Sequence, residues 1–336
     1  MTKADRDAQV RAFLEQSDWR KATVRNLAGD ASNRRYLRLH RDDGTSAVLM
    51  DAPPSKGEDT RPFIEIAEYL THAGLAAPLI LERDTDAGFL ILEDLGDALF
   101  ARHLEHQPDD EERLYIAAIE VLVALGDTPV PKTLLPYDAD TMAPLAGLAA
   151  TWYAGHTSVD DLAACMHIAL TACPSAKPVV VLRDYHAENL LWLPNRSAPA
   201  NVGLLDFQDA RAGHPAYDVS SLLRDARRDV SPDVREAATQ HFAQRTGWDL
   251  PEFQEALAVQ GVQRNLRILG VFARLSLHFG KSHYVDLMPR VWDHLLDDLA
   301  HPTLSDVRSW VMGNLPPPSK AHLTDLKARA GSVPTL

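Results

Sequence analysis

The chain has 336 residues, 46% hydrophobic and 24% charged, enough apolar surface to fold without metal or disulfide support; this excludes a single small module and global disorder. Its 34 basic and 47 acidic residues leave a formal net charge of −13, which disfavours a nonspecific binder of nucleic acid or of an anionic membrane. The only cysteines, Cys165 and Cys173, read as small core residues of a reducing compartment. Met1 to Glu15 is charged and lacks the apolar core of a secretory signal, and no run reaches the roughly 18 apolar residues of a membrane span, so the expected location is the cytoplasm.

In chain order, Val10, Phe13 and Leu14 give helical spacing, and strands are expected at Thr23–Leu27, Tyr36–Leu39 and Ala47–Met50. Pro62 suits a first helical turn; Phe63, Ile66, Ala67 and Leu70 continue one apolar face up to a Gly74 stop. Strands at Pro78–Leu81 and Gly88–Leu92 flank the turn-rich Arg83–Ala87. From Glu111 the pattern is helical, interrupted by a proline-rich connection at Thr128–Pro136 and by an island of strand: Val179–Leu182, then Leu190–Leu193 and Val202–Leu205 around a turn-rich linker. Helices are expected again at Asp218–Ala226, Pro232–Arg245, Pro251–Phe279 and Asp286–Leu299, and the tail after Gly313 reads as a loosely packed helix or partial disorder. A β-rich first part, residues 1–96, thus precedes a mainly helical second part, residues 97–336.

The strand island is the most informative segment. Asn189 immediately precedes one arm of a hairpin and Asp206 immediately follows the other, so antiparallel pairing brings both polar side chains to one end. Asp184 stands five residues ahead of Asn189 on the entering loop. One carboxylate and one amide oxygen, with the remaining positions left to water and phosphate oxygens, form the donor set of Mg²⁺ beside a nucleotide; the second carboxylate is then free to act as a base. A lone aspartate at a strand end is usually a cap or turn former. Three such groups at this spacing carry chemistry.

The order Arg183-Asp184-Tyr185-His186-Ala187-Glu188-Asn189, followed by Asp206-Phe207-Gln208, resembles the D-x-x-x-x-N and D-F-x motifs of protein-kinase-like phosphotransferases. Within that superfamily, Leu205-Asp206-Phe207-Gln208-Asp209-Ala210, Gly213-His214-Pro215-Ala216-Tyr217-Asp218 and Ser221–Arg227 are similar to bacterial anomeric sugar kinases of N-acetylmuramate and N-acetylglucosamine, relatives of the aminoglycoside phosphotransferases. Leu27–Tyr36 resembles that group's phosphate loop, Met50-Asp51-Ala52-Pro53-Pro54 its next strand and Leu92–Asp97 its hinge. The resemblance implies an α+β, bilobal protein-kinase-like fold and ATP with Mg²⁺ as cofactors. It also implies Asp184 as catalytic base, Asn189 and Asp206 as metal ligands, Asp218 as a buried anchor of the catalytic loop, and a small sugar as acceptor. In the phosphate loop, Gly29 permits close backbone approach, Asp30 and Ser32 favour turns whose amides face oxygens, and Arg34 and Arg35 supply charge. Glu93 to Leu95 would offer main-chain groups to adenine.

Two departures stand out. Val48-Leu49-Met50-Asp51 lacks the third-strand lysine of protein kinases, so Arg34, Arg35, Arg38 or Lys56 is expected to replace it, oriented by Glu65 or Glu68. Asp206-Phe207-Gln208 lacks the glycine of a regulated switch, which implies a constitutively formed metal site. The negative charge keeps an aminoglycoside or other amino-alcohol kinase as a rival, and the absent lysine keeps a nucleotide-binding regulator without turnover. Among residues outside the motif, Asp218 alone reads as a helix N-cap. Gly280-Lys281-Ser282 follows a helix instead of a strand and is not a phosphate loop, and the tryptophans read as core, with Trp152 or Tyr153 a possible sugar-pocket floor. An acceptor carboxylate would need a cation, for which Arg211, Arg224, Arg227, Arg264 and Arg267 are candidates.

Overall fold

The computed structural model describes residues 3–27, 33–155 and 159–334. The chain forms two compact units, one made of the residues up to His103 together with Glu188–Asp209, the other of Leu104–Ala187 and Ala210 onward. This division cuts differently from a boundary at residue 96, because the hairpin segment clusters with the first unit.

In the first unit, helix α1 (Lys3–Glu15) precedes strands β1 (Thr23–Asn26), β2 (Arg35–His40) and β3 (Ser46–Asp51), helix α2 (Arg61–His72) and strands β4 (Ile80–Asp84) and β5 (Phe89–Glu93). The strands form one antiparallel sheet in the order β1-β2-β3-β5-β4. Alternation in β2 buries Leu37 and Leu39, which join Leu49, Phe89 and Ile91 and the α1 side chains Val10 and Leu14 in one apolar cluster. β4 starts and ends later than the sequence pattern predicts, running into the turn-rich segment as far as Asp84. Gly88 closes the turn before β5 at φ +74°, where a Cβ would lie 2.1 Å from the Ala52 carbonyl oxygen. Helix α3 (Phe100–His106), which the sequence pattern missed, follows the sheet.

The second unit is built on helices α4 (Glu111–Asp127), α5 (Ala139–Ala146), α6 (Asp160–Ala172), α7 (Ala216–Leu223), α8 (Pro232–Thr246), α9 (Leu250–Leu277), α10 (Met288–Asp298), α11 (Ser305–Asn314) and α12 (Lys320–Ala328). Its core surrounds α9, a 28-residue helix with Asp249 as N-cap and Pro251 in its first turn. Gly280-Lys281-Ser282 terminates this helix, the Lys281 N–H donating to the Leu275 carbonyl. The tail is packed: Leu326 of α12 is buried and its carbonyl accepts from Ser276 Oγ of α9. Trp152 and Tyr153 are core residues in a π-helical turn, the Tyr153 hydroxyl donating to the Pro316 carbonyl. Three short strands, β6 (Pro136–Tyr137), β7 (Val179–Val181) and β10 (Arg211–Gly213), make a small sheet in the order β6-β10-β7. Only β7 is legible in the sequence.

Candidate active site

Strands β8 (Leu190–Trp192) and β9 (Val202–Leu204) form the expected hairpin, with Leu190 opposite Leu204. The Leu205 N–H donates to the Asn189 carbonyl at 3.0 Å, so the ladder ends with Asn189 beside Leu205 and Asp206 one residue further on. Asp206 is held at φ +57°, and Gln208 Nε2 donates to its Oδ1 at 2.8 Å. Phe207 is fully buried with its ring 4.9 Å from that of Phe63 on α2, which fixes the backbone on the far side of Asp206. Two half-buried oxygen donors are thus presented at one hairpin end, a donor set that suits a hard cation sharing its shell with phosphate and water.

Of the proposed phosphate-loop residues, Gly29, Asp30 and Ser32 lie outside the described residues. Arg34 pairs with Glu58 at 2.8 Å, and Arg35 bridges Asp7 at 2.6 Å and Asp51 at 2.8 Å, Asp51 also taking Arg6 at 2.6 Å. Arg38 pairs with Asp94 at 2.9 Å and Asp97 at 2.6 Å, and its hydrogen bond holds the Asp97 carboxyl below the usual range. Lys56 is exposed and makes no ion pair among the described residues, while Glu68 pairs with Arg83. Glu93 ends β5 and accepts from Arg196 of the hairpin linker at 2.6 Å. Leu95, two residues on, makes no backbone hydrogen bond through its N–H to any described residue, leaving that donor available.

In the second unit, Asp184 follows β7 on a loop held by α7. Asp218 accepts from the Leu182 N–H at 2.5 Å and the Arg183 N–H at 2.9 Å. It is no N-cap: α7 starts at Ala216 after Pro215, and Asp218 spends its carboxylate on a segment 35 residues away in sequence. Arg183 sits at φ +73°, and Arg183 and Asp206 are the non-glycine residues with left-handed backbone among the described residues. Such conformations cost about 1–3 kcal/mol each and persist where surrounding bonds hold them, which singles out these two loops. Burial pushes the Asp218 carboxyl up to about 7, against the pull of its two backbone donors and with the nearby Asp184 adding to the rise.

Around this loop lie His186, Asp225, Arg227, Arg264 and Arg267. Arg227 Nη1 is 3.2 Å from His186 Nε2; burial, then Arg227 and Arg264, hold His186 well below its ordinary range, which favours the neutral imidazole. Burial also raises the Asp225 carboxyl, whose Oδ1 accepts from the Arg227 N–H at 2.8 Å. Arg264 is 3% exposed and donates to the Arg224 carbonyl. Arg267, one turn on, donates from Nη1 to the Tyr217 hydroxyl at 3.2 Å, which is 3.4 Å from the Tyr137 hydroxyl; the Arg183 guanidinium lies 5.2 Å from the Tyr137 ring centroid. Asp184, Asp218 and Asp225 are thus set among arginines, which offset the cost of placing carboxyl groups in a buried or half-buried setting. Asp225 and Tyr137 carried no signal in the sequence, because only the fold brings α7, α9 and β6 to the Asp184 loop.

Two strained loops bearing D-x-x-x-x-N and D-F-x, with a buried aspartate anchoring the first, define a phosphotransferase, and the chain belongs to the phosphotransferase enzyme family, whose model matches residues 23–255. It is 38% identical to the N-acetylmuramate/N-acetylglucosamine kinase of Caulobacter vibrioides, covering 91% of this chain and 96% of that protein. It is 35% identical to the kinase of the same name from Pseudomonas aeruginosa, covering 88% of this chain and 89% of that one. Among solved structures, a choline/ethanolamine kinase family protein from Mesorhizobium loti has a TM-score of 0.62 at 13% identity, covering 96% of this chain and 99% of the other. An aminoglycoside phosphotransferase solved with GDP and kanamycin has a TM-score of 0.61 at 16% identity, covering 89% and 99%. The fold is therefore protein-kinase-like, with a β-sheet region and a larger helical part, and the chain is a nucleotide-dependent kinase of a small molecule.

Proposed function

We propose that the protein transfers the γ-phosphate of ATP to the anomeric hydroxyl of N-acetylmuramate or N-acetylglucosamine, serving the recycling of peptidoglycan sugars in the cytoplasm. The observation that carries this reading is the placement of Asn189 and Asp206 at one hairpin end, downstream of an Asp184 loop pinned by Asp218, in a chain whose close relatives bear that name. Asn189 and Asp206 would hold Mg²⁺, which when bound neutralises charge on the transferring phosphates. Asp184 Oδ accepts the hydroxyl proton as the acceptor oxygen bonds to the γ-phosphorus and the bond from that phosphorus to the β–γ bridging oxygen breaks, releasing ADP. An anomeric hydroxyl is more acidic than an ordinary alcohol, so a carboxylate suffices as base. Main-chain groups of Glu93 to Leu95 take the adenine, supported by the available Leu95 N–H. Gly29, Asp30 and Ser32 approach the phosphates with their backbone. Arg34 and Arg35 supply cationic charge there, and their ion pairs with Glu58, Asp7 and Asp51 give Lys56, exposed just after β3, a stronger part in replacing the third-strand lysine. Two free cysteines and the absence, among the described residues, of a helix long and apolar enough to cross a membrane fit the cytoplasmic assignment.

The test is Mg²⁺-dependent ADP release from ATP with N-acetylmuramate, N-acetylglucosamine and kanamycin as separate acceptors. Release with either amino sugar supports the reading; release with kanamycin alone moves the protein to the aminoglycoside kinases, and tight ATP binding with no release for any of them points to a regulator.

A further inference from the structure

We infer that Arg267 is the specificity residue that receives the carboxylate of an acidic amino-sugar acceptor. This rests on the proposed sugar-kinase reading and deepens it. N-acetylmuramate differs from N-acetylglucosamine by a lactyl ether on the exocyclic oxygen of C3, two carbons from the anomeric carbon. An acceptor whose anomeric hydroxyl faces Asp184 therefore carries its carboxylate close to that base, where an unanswered anion beside Asp184 would repel it.

Five arginines of the second unit are at hand, and their contacts separate them. Arg224 is answered by Asp298, at 3.1 Å from Nε and 2.8 Å from Nη2, and by Asp297 at 3.4 Å. Arg227 is turned onto His186 at 3.2 Å. Arg264 is 3% exposed and directed at the Arg224 carbonyl, 3.3 Å away. Arg211 on β10 is half-buried beside Val181 and makes no side-chain hydrogen bond among the described residues, but no neighbour fixes its guanidinium. Arg267 differs from all four. It is half-buried, so an acceptor can reach it, and its one hydrogen bond among the described residues is to the Tyr217 hydroxyl. A guanidinium has five N–H donors in a planar fork, and the bidentate arrangement that best binds a carboxylate is left open here.

Tyr217 also fixes where that fork points. It is fully buried in α7 next to Asp218, which anchors the Asp184 loop, and its ring packs edge-on against Tyr137 with centroids 5.1 Å apart. The Arg183 guanidinium rests on the other member of this aromatic pair. A continuous set of contacts thus joins the residue before the base to Arg267, and the charge of Asp184 is among those that strengthen the hold of Arg267 on its proton. Along α9, Arg264 is buried and Arg267, one turn on, is half-buried.

The experiment measures kcat and KM for N-acetylmuramate and N-acetylglucosamine with the wild-type full chain, Arg267→Gln, Arg267→Lys and Arg211→Gln. The readout is the ratio of kcat/KM for the acidic sugar to that for the neutral one, which a general loss of folded enzyme leaves unmoved. Loss of a charge-assisted bidentate contact is expected to lower this ratio about 10- to 100-fold in Arg267→Gln, chiefly through KM for N-acetylmuramate. Arg267→Lys keeps the charge without the fork and should fall in between. A ratio unchanged within about threefold in both Arg267 variants overturns the inference, and so does a selective loss in Arg211→Gln alone. Should wild-type enzyme phosphorylate neither sugar, the sugar-kinase reading itself falls and takes the inference with it, an outcome visible before any variant is made.

Discussion

Replacing Asp218 with alanine tests how the catalytic loop is held. The substitution removes both acceptors of the Leu182 and Arg183 N–H groups, at 2.5 and 2.9 Å. Each buried donor left unpaired costs about 1–3 kcal/mol, so about 2–6 kcal/mol for the two. Against this, burial raises the Asp218 carboxyl from 3.8 to about 7, and at neutral pH the folded state carries the cost of that shift, about 4 kcal/mol at 1.36 kcal/mol per unit. The two terms nearly cancel. Global stability by urea denaturation should therefore change by no more than about 2 kcal/mol, while the loop, relieved of the φ +73° conformation at Arg183, lets Asp184 drift. A displacement on the order of 1 Å at a catalytic group can cost about 100-fold, so kcat should fall by at least that much. Hydrogen exchange supplies the local readout: the Leu182 and Arg183 amides should be protected in wild type and exchange rapidly in the variant. A kcat within about threefold of wild type, or amides still protected, would refute the anchoring role.

Asp298 is buried and its carboxyl pushed up to about 7 mainly by burial, opposed by Arg224. An acid with a raised folded-state pKa keeps its proton longer when folded, so its contribution to stability falls as pH rises from about 4 to about 7. Wild type should lose stability relative to Asp298→Asn across that window in paired urea titrations; a pH-independent difference contradicts the assignment. Gly88→Ala places a Cβ 2.1 Å from the Ala52 carbonyl oxygen at φ +74° and should destabilise the protein by about 2 kcal/mol or more; a smaller loss of unfolding free energy in the same assay would mean the β5 turn can yield. Asp225→Asn removes a carboxyl that burial raises, so, by the same linkage, it should weaken thermal stability less at pH 8 than at pH 5; an equal or larger loss at pH 8 would show that ionic pairing with the neighbouring arginines outweighs the cost of burial.

The hairpin, its two polar ends and the Asp184 loop were legible in the sequence because aliphatic runs of strand length flank a proline- and asparagine-rich turn, and because the motif spacing is local. The sheet of the first unit was legible for the same reason, with errors of a few residues where β4 extends through charged residues whose side chains alternate between half-buried and exposed. Strands β6 and β10 were not, since two- and three-residue strands containing proline and glycine exist only through their neighbours. The Asp218 role was concealed by a competing local rule: an aspartate near a helix start reads as a cap, yet the helix begins two residues earlier and the carboxylate serves a distant loop. The proline-rich tail gave no hint that Leu326 docks against α9, and the Arg6–Asp51–Arg35 ion pairs join positions that no periodicity connects.

The most direct test of the account locates the phosphate and the proton acceptor together. Phosphorus NMR of the product from ATP and N-acetylglucosamine should show a phosphate on the anomeric oxygen. Asp184→Asn should slow its formation by about 10²- to 10⁴-fold, the range for loss of a positioned base, while ATP affinity measured by calorimetry stays within about threefold of wild type. Phosphate on another hydroxyl, or an Asp184→Asn enzyme turning over at near wild-type rate, would contradict it.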